Sequence, residues 1–205
     1  MPKEIIGIVD YKAGNLKSVD TALKHIGARR IISGDADVLL KTDKLIFPGV
    51  GSAGAAMDAL KERGLDKALI EYASSGRLIL GICIGCQILL ESSEERNTSC
   101  LSLIKGEVKL FPSDMGLKVP HMGWNQVFPT MTTPLFKDIP GGTSFYFVHS
   151  YYPQVRDEEN QLCSTEYGIT FSSGIVKDNL FAVQFHPEKS GEFGLLLLKN
   201  FLAMG

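Results

Sequence analysis

The feature that most constrains this chain is a 13-residue apolar run at 78–90 (LILGICIGCQILL), interrupted by two glycines and a glutamine. It is too short to span a bilayer, which takes ~20 predominantly apolar residues, so it belongs in a folded core. Its first part, 78–82, has the pattern of a strand covered on both faces. Gly81-Ile82-Cys83-Ile84-Gly85 then sits where that strand gives way to a helix. A side chain held on a sharp turn at a strand's end, with small neighbours that let the backbone pass close by, has the geometry of a nucleophile elbow. A thiol there lies at a helix N-terminus, whose partial positive charge favours the thiolate. The same residues also suit a buried structural cysteine between turn glycines, and the motif alone leaves both readings open.

Around this run, strand patterns alternate with helix patterns. Residues 4–9 (EIIGIV) predict a buried strand, and Leu16, Val19, Leu23 and Ile26 then form one apolar stripe at helical period, ending near Gly27. Residues 45–47 predict a second strand stopped by Pro48-Gly49, 52–61 a small-residue helix and 65–72 an amphipathic one. This alternation predicts a parallel sheet with covered faces. Beyond residue 105 come short strand-like runs, at 108–110, 119–127, 144–152, 162–167, 168–171 and 180–185, separated by Gly, Pro, Asp and Asn. These predict hairpins and antiparallel additions to the sheet. A leucine-rich helix is expected at about 192–203, and no repeat or linker is evident. The expectation is a single α/β domain over 1–205: a mostly parallel central sheet, helices on both faces and an antiparallel extension.

Charge and cysteine usage narrow the function. Lys and Arg total 21 against 23 Asp and Glu, a formal net charge of −2, with no block of like charge longer than three residues. A nucleic-acid binder would carry a basic excess or stripe. The N-terminal apolar run at 5–9 ends at Asp10, too short for a signal-peptide core. Four cysteines without a secretory signal predict a reducing compartment, and the expected location is cytoplasmic. No cluster has metal-ligand spacing.

A cysteine nucleophile needs a base, and the base an orienting acid. Among His25, His121, His149 and His186, His25 reads as a partly exposed residue of the first helix. His186 ends the 180–185 run and is followed by Pro187 and Glu188. Residues two apart in an extended stretch point to the same side, so Glu188 can support the imidazole of His186, although strand-end histidines are also ordinary polar ends. Pro48-Gly49-Val50-Gly51-Ser52 reads either as a plain βα turn or as one whose free N–H groups hold an anion.

Taken together, GICIGCQ around Cys83, HPEKS from His186 to Ser190 and PGVG from Pro48 to Gly51 resemble the class I (triad) glutamine amidotransferases. Asp10-Tyr11 followed by Gly14-Asn15-Leu16, His121-Met122-Gly123-Trp124-Asn125, and Tyr146-Phe147-Val148-His149-Ser150-Tyr151 narrow the resemblance to the glutaminase subunits of imidazole glycerol phosphate synthase. The match runs in order from about residue 5 to the C-terminus.

The resemblance implies that Cys83 attacks the side-chain amide of glutamine, giving a glutamyl thioester and ammonia, with His186 moving the proton and Glu188 orienting it. It implies an oxyanion site from N–H groups around Gly49, Val50 and Ile84, and glutamine contacts from Gly51, Gln87, Glu95, Ser150 and Tyr151. Glu95 lies in the acidic run 91–95, which by itself reads as a solvated helix end. No cofactor or metal is implied. The implied partner is a (β/α)8-barrel cyclase in a heterodimer, with Trp124, Tyr146 and Lys189 at or near the contact. That cyclase would use the ammonia to make imidazole glycerol phosphate and an aminoimidazole carboxamide ribotide. Gly49 and Gly51 would let the oxyanion turn adopt conformations closed to other residues.

One residue departs from the family pattern. Cys86 stands where an apolar residue is usual and creates a C-x-x-C with Cys83, itself a redox signature. The rival from another class is therefore a thiol–disulfide oxidoreductase of thioredoxin type, which would leave PGVG, HMGWN and HPE without a role. A non-catalytic module of the same fold is a third reading, set against the intact Cys-His-Glu set. The glutaminases of anthranilate and aminodeoxychorismate synthases are the near alternative, sharing GxCxG and HPE but not HMGWN.

Overall fold

A computed structural model describes residues 4–12 and 16–205; Gly14 and Asn15 of the DYKAGNL segment lie outside them. The unbroken apolar runs become strands covered on both faces: β1 (Ile5–Val9), β3 (Lys44–Gly49) and β4 (Ile79–Cys83) are buried along nearly their whole length. Helix α1 (Leu16–His25) turns Val19, Ala22 and Leu23 inward and leaves His25 exposed at its C-terminal end. Helix α3 (Ala53–Glu62) begins at Ser52, whose hydroxyl accepts from the Ala55 N–H at 3.2 Å, an N-cap that satisfies one of the helix's orphan donors. Helix α4 (Leu65–Ser74) follows, burying Leu65, Leu69 and Tyr72.

Among the described residues the main sheet has nine strands. Its parallel half is β2 (Arg29–Ser33), β1, β3, β4 and β13 (Leu180–Val183), and its antiparallel half continues with β12 (Ile169–Lys177), β11 (Gln161–Tyr167), β8 (His121–Pro129) and β9 (Thr143–His149). β13 joins the two halves by pairing parallel with β4 and antiparallel with β12. Helix α6 (Gly191–Ala203) buries Leu197, Leu198 and Phe201. The expected α/β architecture with an antiparallel extension is present, and helices cover the parallel half.

Several details differ from the sequence reading, each for a local reason. The run 144–152 is two strands in two sheets. It breaks at Ser150, whose carbonyl accepts from Phe111 N–H, and continues as β10 (Tyr151–Val155) in a four-stranded sheet with β7 (Gly106–Leu110), β5 (Ser92–Ser93) and β6 (Thr98–Ser99). Residues 91–95 are not a helix end. The Glu91 and Glu94 carboxylates accept from the Gly106 and Leu110 N–H groups at 2.9 and 2.8 Å, which docks this stretch on β7. β2 escaped notice because an edge strand with Ile31 and Ile32 exposed shows no alternation. The four-residue helix α2 (Ala36–Leu39), capped by Asp35, is too short to show a period.

Candidate active site

Three adjacent parallel strands end at one place, the carboxyl edge where open α/β sheets hold their ligands. β3 ends at Gly49 and β4 at Cys83, paired to each other in register, while β13 delivers His186 three residues beyond its last residue. A cavity of about 310 Å³ opens there, lined by Val50, Gly51, Cys83, Ile84, Gln87, Glu95, Pro120, Val148, His149, Ser150, Tyr151 and His186. The sequence-predicted nucleophile, base and glutamine contacts therefore share one cavity. Glu188 stands behind His186, and Gly49 is pressed against Ile84, since a Cβ on it would come within 2.8 Å of the Ile84 Cβ.

Cys83 sits at φ 56°, ψ −109°, a backbone that L-residues rarely adopt. Such strain persists only where its surroundings over-determine it, and it holds the thiol at the tip of the turn. Gly85 makes the turn sterically feasible, because any Cβ there would run into the Phe47 carbonyl oxygen. Gly85→Ala is therefore expected to destabilise the fold by roughly 3 kcal/mol or more, an overpacking effect against rigid backbone. Thermal unfolding checks this, and a loss under about 1 kcal/mol would contradict it. The helix after the elbow, α5 (Ile84–Gln87), is a single turn, so its dipole at the thiol is smaller than the sequence reading assumed.

His186 Nδ1 and Glu188 Oε1 are 2.8 Å apart, and both side chains are only 2% exposed. Glu188 fixes the ring with its Nδ1–H toward the carboxylate, leaving the buried Nε2 without a protein partner. Burial lowers the His186 pKa, but the nearby Cys83, the bond to Glu188 and their charges outweigh it and raise the value to about 9. The ring is thus held as an imidazolium in the cavity that contains Cys83, a form able to act as a general acid. Because the folded value lies above the unfolded one, the stability this pairing contributes is full below pH 6.5 and is lost as pH rises through about 9. A pH–rate profile of amide cleavage is expected to fall over the same range, and a flat profile to pH 10 would contradict the role assigned to the ring.

Part of the remaining wall carries an amide and a carboxylate. Gln87 Nε2 donates to the Tyr151 carbonyl and to Gln184 Oε1, both at 2.9 Å, and its buried Oε1 is without a partner. Glu95 accepts from Ala53 N–H at the start of α3 at 2.7 Å, so its carboxylate is fixed at the cavity's edge. The Pro48–Gly51 turn differs from the sequence expectation at one glycine. Gly49 is not in the left-handed region; it must be glycine for space, facing the Tyr11 hydroxyl and Ile84. Gly51 is at φ +95° with open space around it, so the turn's freedom resides there.

A family model for "Glutamine amidotransferase class-I" matches residues 8–204. The chain belongs to the class I glutamine amidotransferases. An "Imidazole glycerol phosphate synthase subunit HisH" from Maridesulfovibrio salexigens is 50% identical over 96% of this chain and 95% of its own. The protein of that name from Methanosarcina acetivorans is 50% identical over 97% and 98%. "Imidazole glycerol phosphate synthase subunit HisH 1" from Pseudomonas aeruginosa is 44% identical over 98% and 97%. Among solved structures, that of PurLQS from Thermotoga maritima superposes with a TM-score of 0.77 over 98% of both chains at 21% identity, a likeness of fold.

In this amidotransferase Cys86 does not share the cavity. It is fully buried, and its thiol is pushed well up by burial and then by the neighbouring Cys163 and Cys83. It packs as a small apolar residue, and all four cysteines are free. Full-length family membership removes the thioredoxin-type alternative.

Trp124, Tyr146 and Lys189 form one surface patch. Trp124 is 59% exposed and meets Tyr146 edge-on at 6.3 Å, and Lys189 Nζ lies 5.7 Å from the Tyr146 ring centre. Met122 and Phe128 extend the same face of β8. The patch is tied to His186, because His186 N–H donates to the Tyr146 carbonyl at 2.9 Å and Tyr146 N–H to Ser190 Oγ at 3.0 Å.

Sequence reasoning missed Gln184, whose Nε2 donates to Cys83 Sγ at 3.7 Å. A lone glutamine between Val183 and Phe185 was the available signal. His149 and Val148 of the 146–151 segment and Pro120 of the 119–127 run also line the cavity, with no role assigned to them by the sequence. Among the described residues no group of three or more His, Cys, Asp or Glu side chains is arranged to hold a metal ion, and no helix is long and apolar enough to cross a membrane.

Proposed function

We propose that this chain is the glutaminase subunit of an imidazole glycerol phosphate synthase, working in the cytoplasm against a (β/α)8-barrel cyclase. The observation that carries the reading is the pairing of His186 with Glu188 at 2.8 Å, its other nitrogen unpartnered in the cavity that holds Cys83. The His186 ring holds the proton of the Cys83 thiol, the thiolate attacks the glutamine amide carbon, and N–H groups at Val50 and Ile84 take up the charge on the oxygen. The imidazolium of His186 gives its proton to the departing nitrogen, and ammonia leaves. Water then opens the thioester, with the neutral ring as base. Glu95 and the open Oε1 of Gln87 supply acceptors for the substrate ammonium, and Ser150 and Tyr151 also line the cavity.

The 43–50% identity to HisH subunits over nearly the full chain supports this choice of synthase. So does the exposed aromatic patch beside the triad, since Trp and Tyr are favoured anchors of protein interfaces. The test is to mix the chain with such a cyclase and measure glutamine-dependent formation of imidazole glycerol phosphate. Glutamine cleavage without that product would reassign the chain to another amidotransferase complex.

A further inference from the structure

Two buried histidines outside the triad have no part in the chemistry above. His121 and His149 face each other across β8 and β9, 3% and 6% exposed, with His121 Nδ1 2.9 Å from His149 Nε2. His149 Nδ1 is 2.8 Å from the Tyr151 carbonyl, and His121 Nε2 is 3.2 Å from Asn125 Nδ2. A carbonyl can only accept, so His149 Nδ1 carries the proton. Burial holds both rings neutral, at pKa values of about 4 and about 3, so His149 Nε2 accepts, His121 Nδ1 donates and His121 Nε2 accepts from Asn125. The second Asn125 hydrogen goes to the Glu166 carbonyl at 2.9 Å. Every polar atom in this run has a partner, and every bond a direction.

The run continues beyond Tyr151. Its carbonyl also accepts from Gln87 Nε2, Gln87 gives its other hydrogen to Gln184 Oε1, and Gln184 Nε2 donates to Cys83 Sγ. We propose that Asn125, His121 and His149 are positioning residues for the glutaminase site: they fix the Tyr151 carbonyl, and through it the Gln87 and Gln184 amides, so that the substrate wall and the nucleophile are held in register. His121 does not line the cavity and acts only through His149. The inference rests on the glutaminase reading and extends it to three residues of which only His149 lines the cavity.

Packing and bonding at His121 can be separated. Its ring stacks on Tyr167 at 3.9 Å and on Phe147 at 4.8 Å. His121→Phe keeps the stacking and breaks the relay, whereas His121→Asn gives up the stacking and keeps a donor in the Nδ1 position. The probe is 6-diazo-5-oxo-L-norleucine, a glutamine analogue that alkylates the nucleophile, with iodoacetamide as a reagent that needs no glutamine pocket. Labelling of Cys83 in the whole chain is followed by mass spectrometry, and melting temperature is recorded for each variant.

His121→Phe is expected to raise the half-saturating analogue concentration about tenfold, the scale of one lost hydrogen bond at a binding wall, with iodoacetamide rates within about twofold. His121→Asn is expected to melt lower and yet label as the unaltered chain does. Unchanged analogue saturation in His121→Phe, or equal losses in both variants, would overturn the relay. If the unaltered chain gives no labelling at Cys83 that glutamine protects, the glutaminase reading itself falls, and the relay with it.

Discussion

Cys83→Ala is expected to abolish glutamine-dependent turnover, by roughly 10⁴-fold or more, the loss typical of removing a covalent nucleophile. No other group can take its place. Cys86 is fully buried and does not line the cavity, whose lining includes no cysteine besides Cys83. The fold should survive, because the strain at Cys83 lies in its backbone, which an alanine keeps, and the close approach of Gly85 to the Phe47 carbonyl is unaffected. The cyclase reaction driven by added ammonium salt should stay nearly intact, since that route bypasses this subunit. Product formation with glutamine and with ammonium chloride, measured side by side, gives the answer. Retained glutamine-dependent activity in Cys83→Ala, with loss in Cys86→Ala, would move the nucleophile.

What the sequence disclosed and what it hid follow from range. The elbow was legible because its parts are local: a buried strand, a cysteine and glycines within five residues, each with a steric reason now visible. His186 and Glu188 were legible because residues two apart on an extended chain share a side, and they meet at 2.8 Å. Bringing the two pieces together required the parallel pairing of β13 with β4, a contact about a hundred residues long that no window reports. The family resemblance supplied it. The relay from Asn125 to Tyr151 stayed hidden for the same reason, since His121 and His149 are read as neighbours only once β8 and β9 are paired. The break at Ser150 was hidden because both halves of the run have strand character, and only the approach of Phe111 decides where the chain changes sheets.

Control by the partner is the second large effect. An amidotransferase that cleaved glutamine without an acceptor would waste it, and the geometry offers a way to stay idle. In the proposed mechanism one N–H of the oxyanion site comes from the Pro48–Gly51 turn, where Gly51 stands at φ +95° with open space in place of a side chain. Losing one oxyanion donor lowers kcat by roughly 10²–10³, or about 3–4 kcal/mol. A partner that binds the active form of the turn more tightly by that margin is enough to switch it. The patch that such a partner would cover is already wired to the triad: Trp124 leans on Tyr146, and the Tyr146 backbone holds His186 and Ser190. The isolated chain is therefore expected to cleave glutamine slowly, with stimulation on the order of 10²–10³ when cyclase and its nucleotide ligand are both present. Trp124→Ala should weaken association or stimulation while leaving Cys83 open to iodoacetamide, because the indole is 59% exposed and supports no core contact of the elbow. Steady-state ammonia release from the purified chain, alone and with the partner, measures the ratio. Full-speed cleavage by the chain alone would show that the turn is already in its active form and that the partner's role lies elsewhere, in receiving the ammonia.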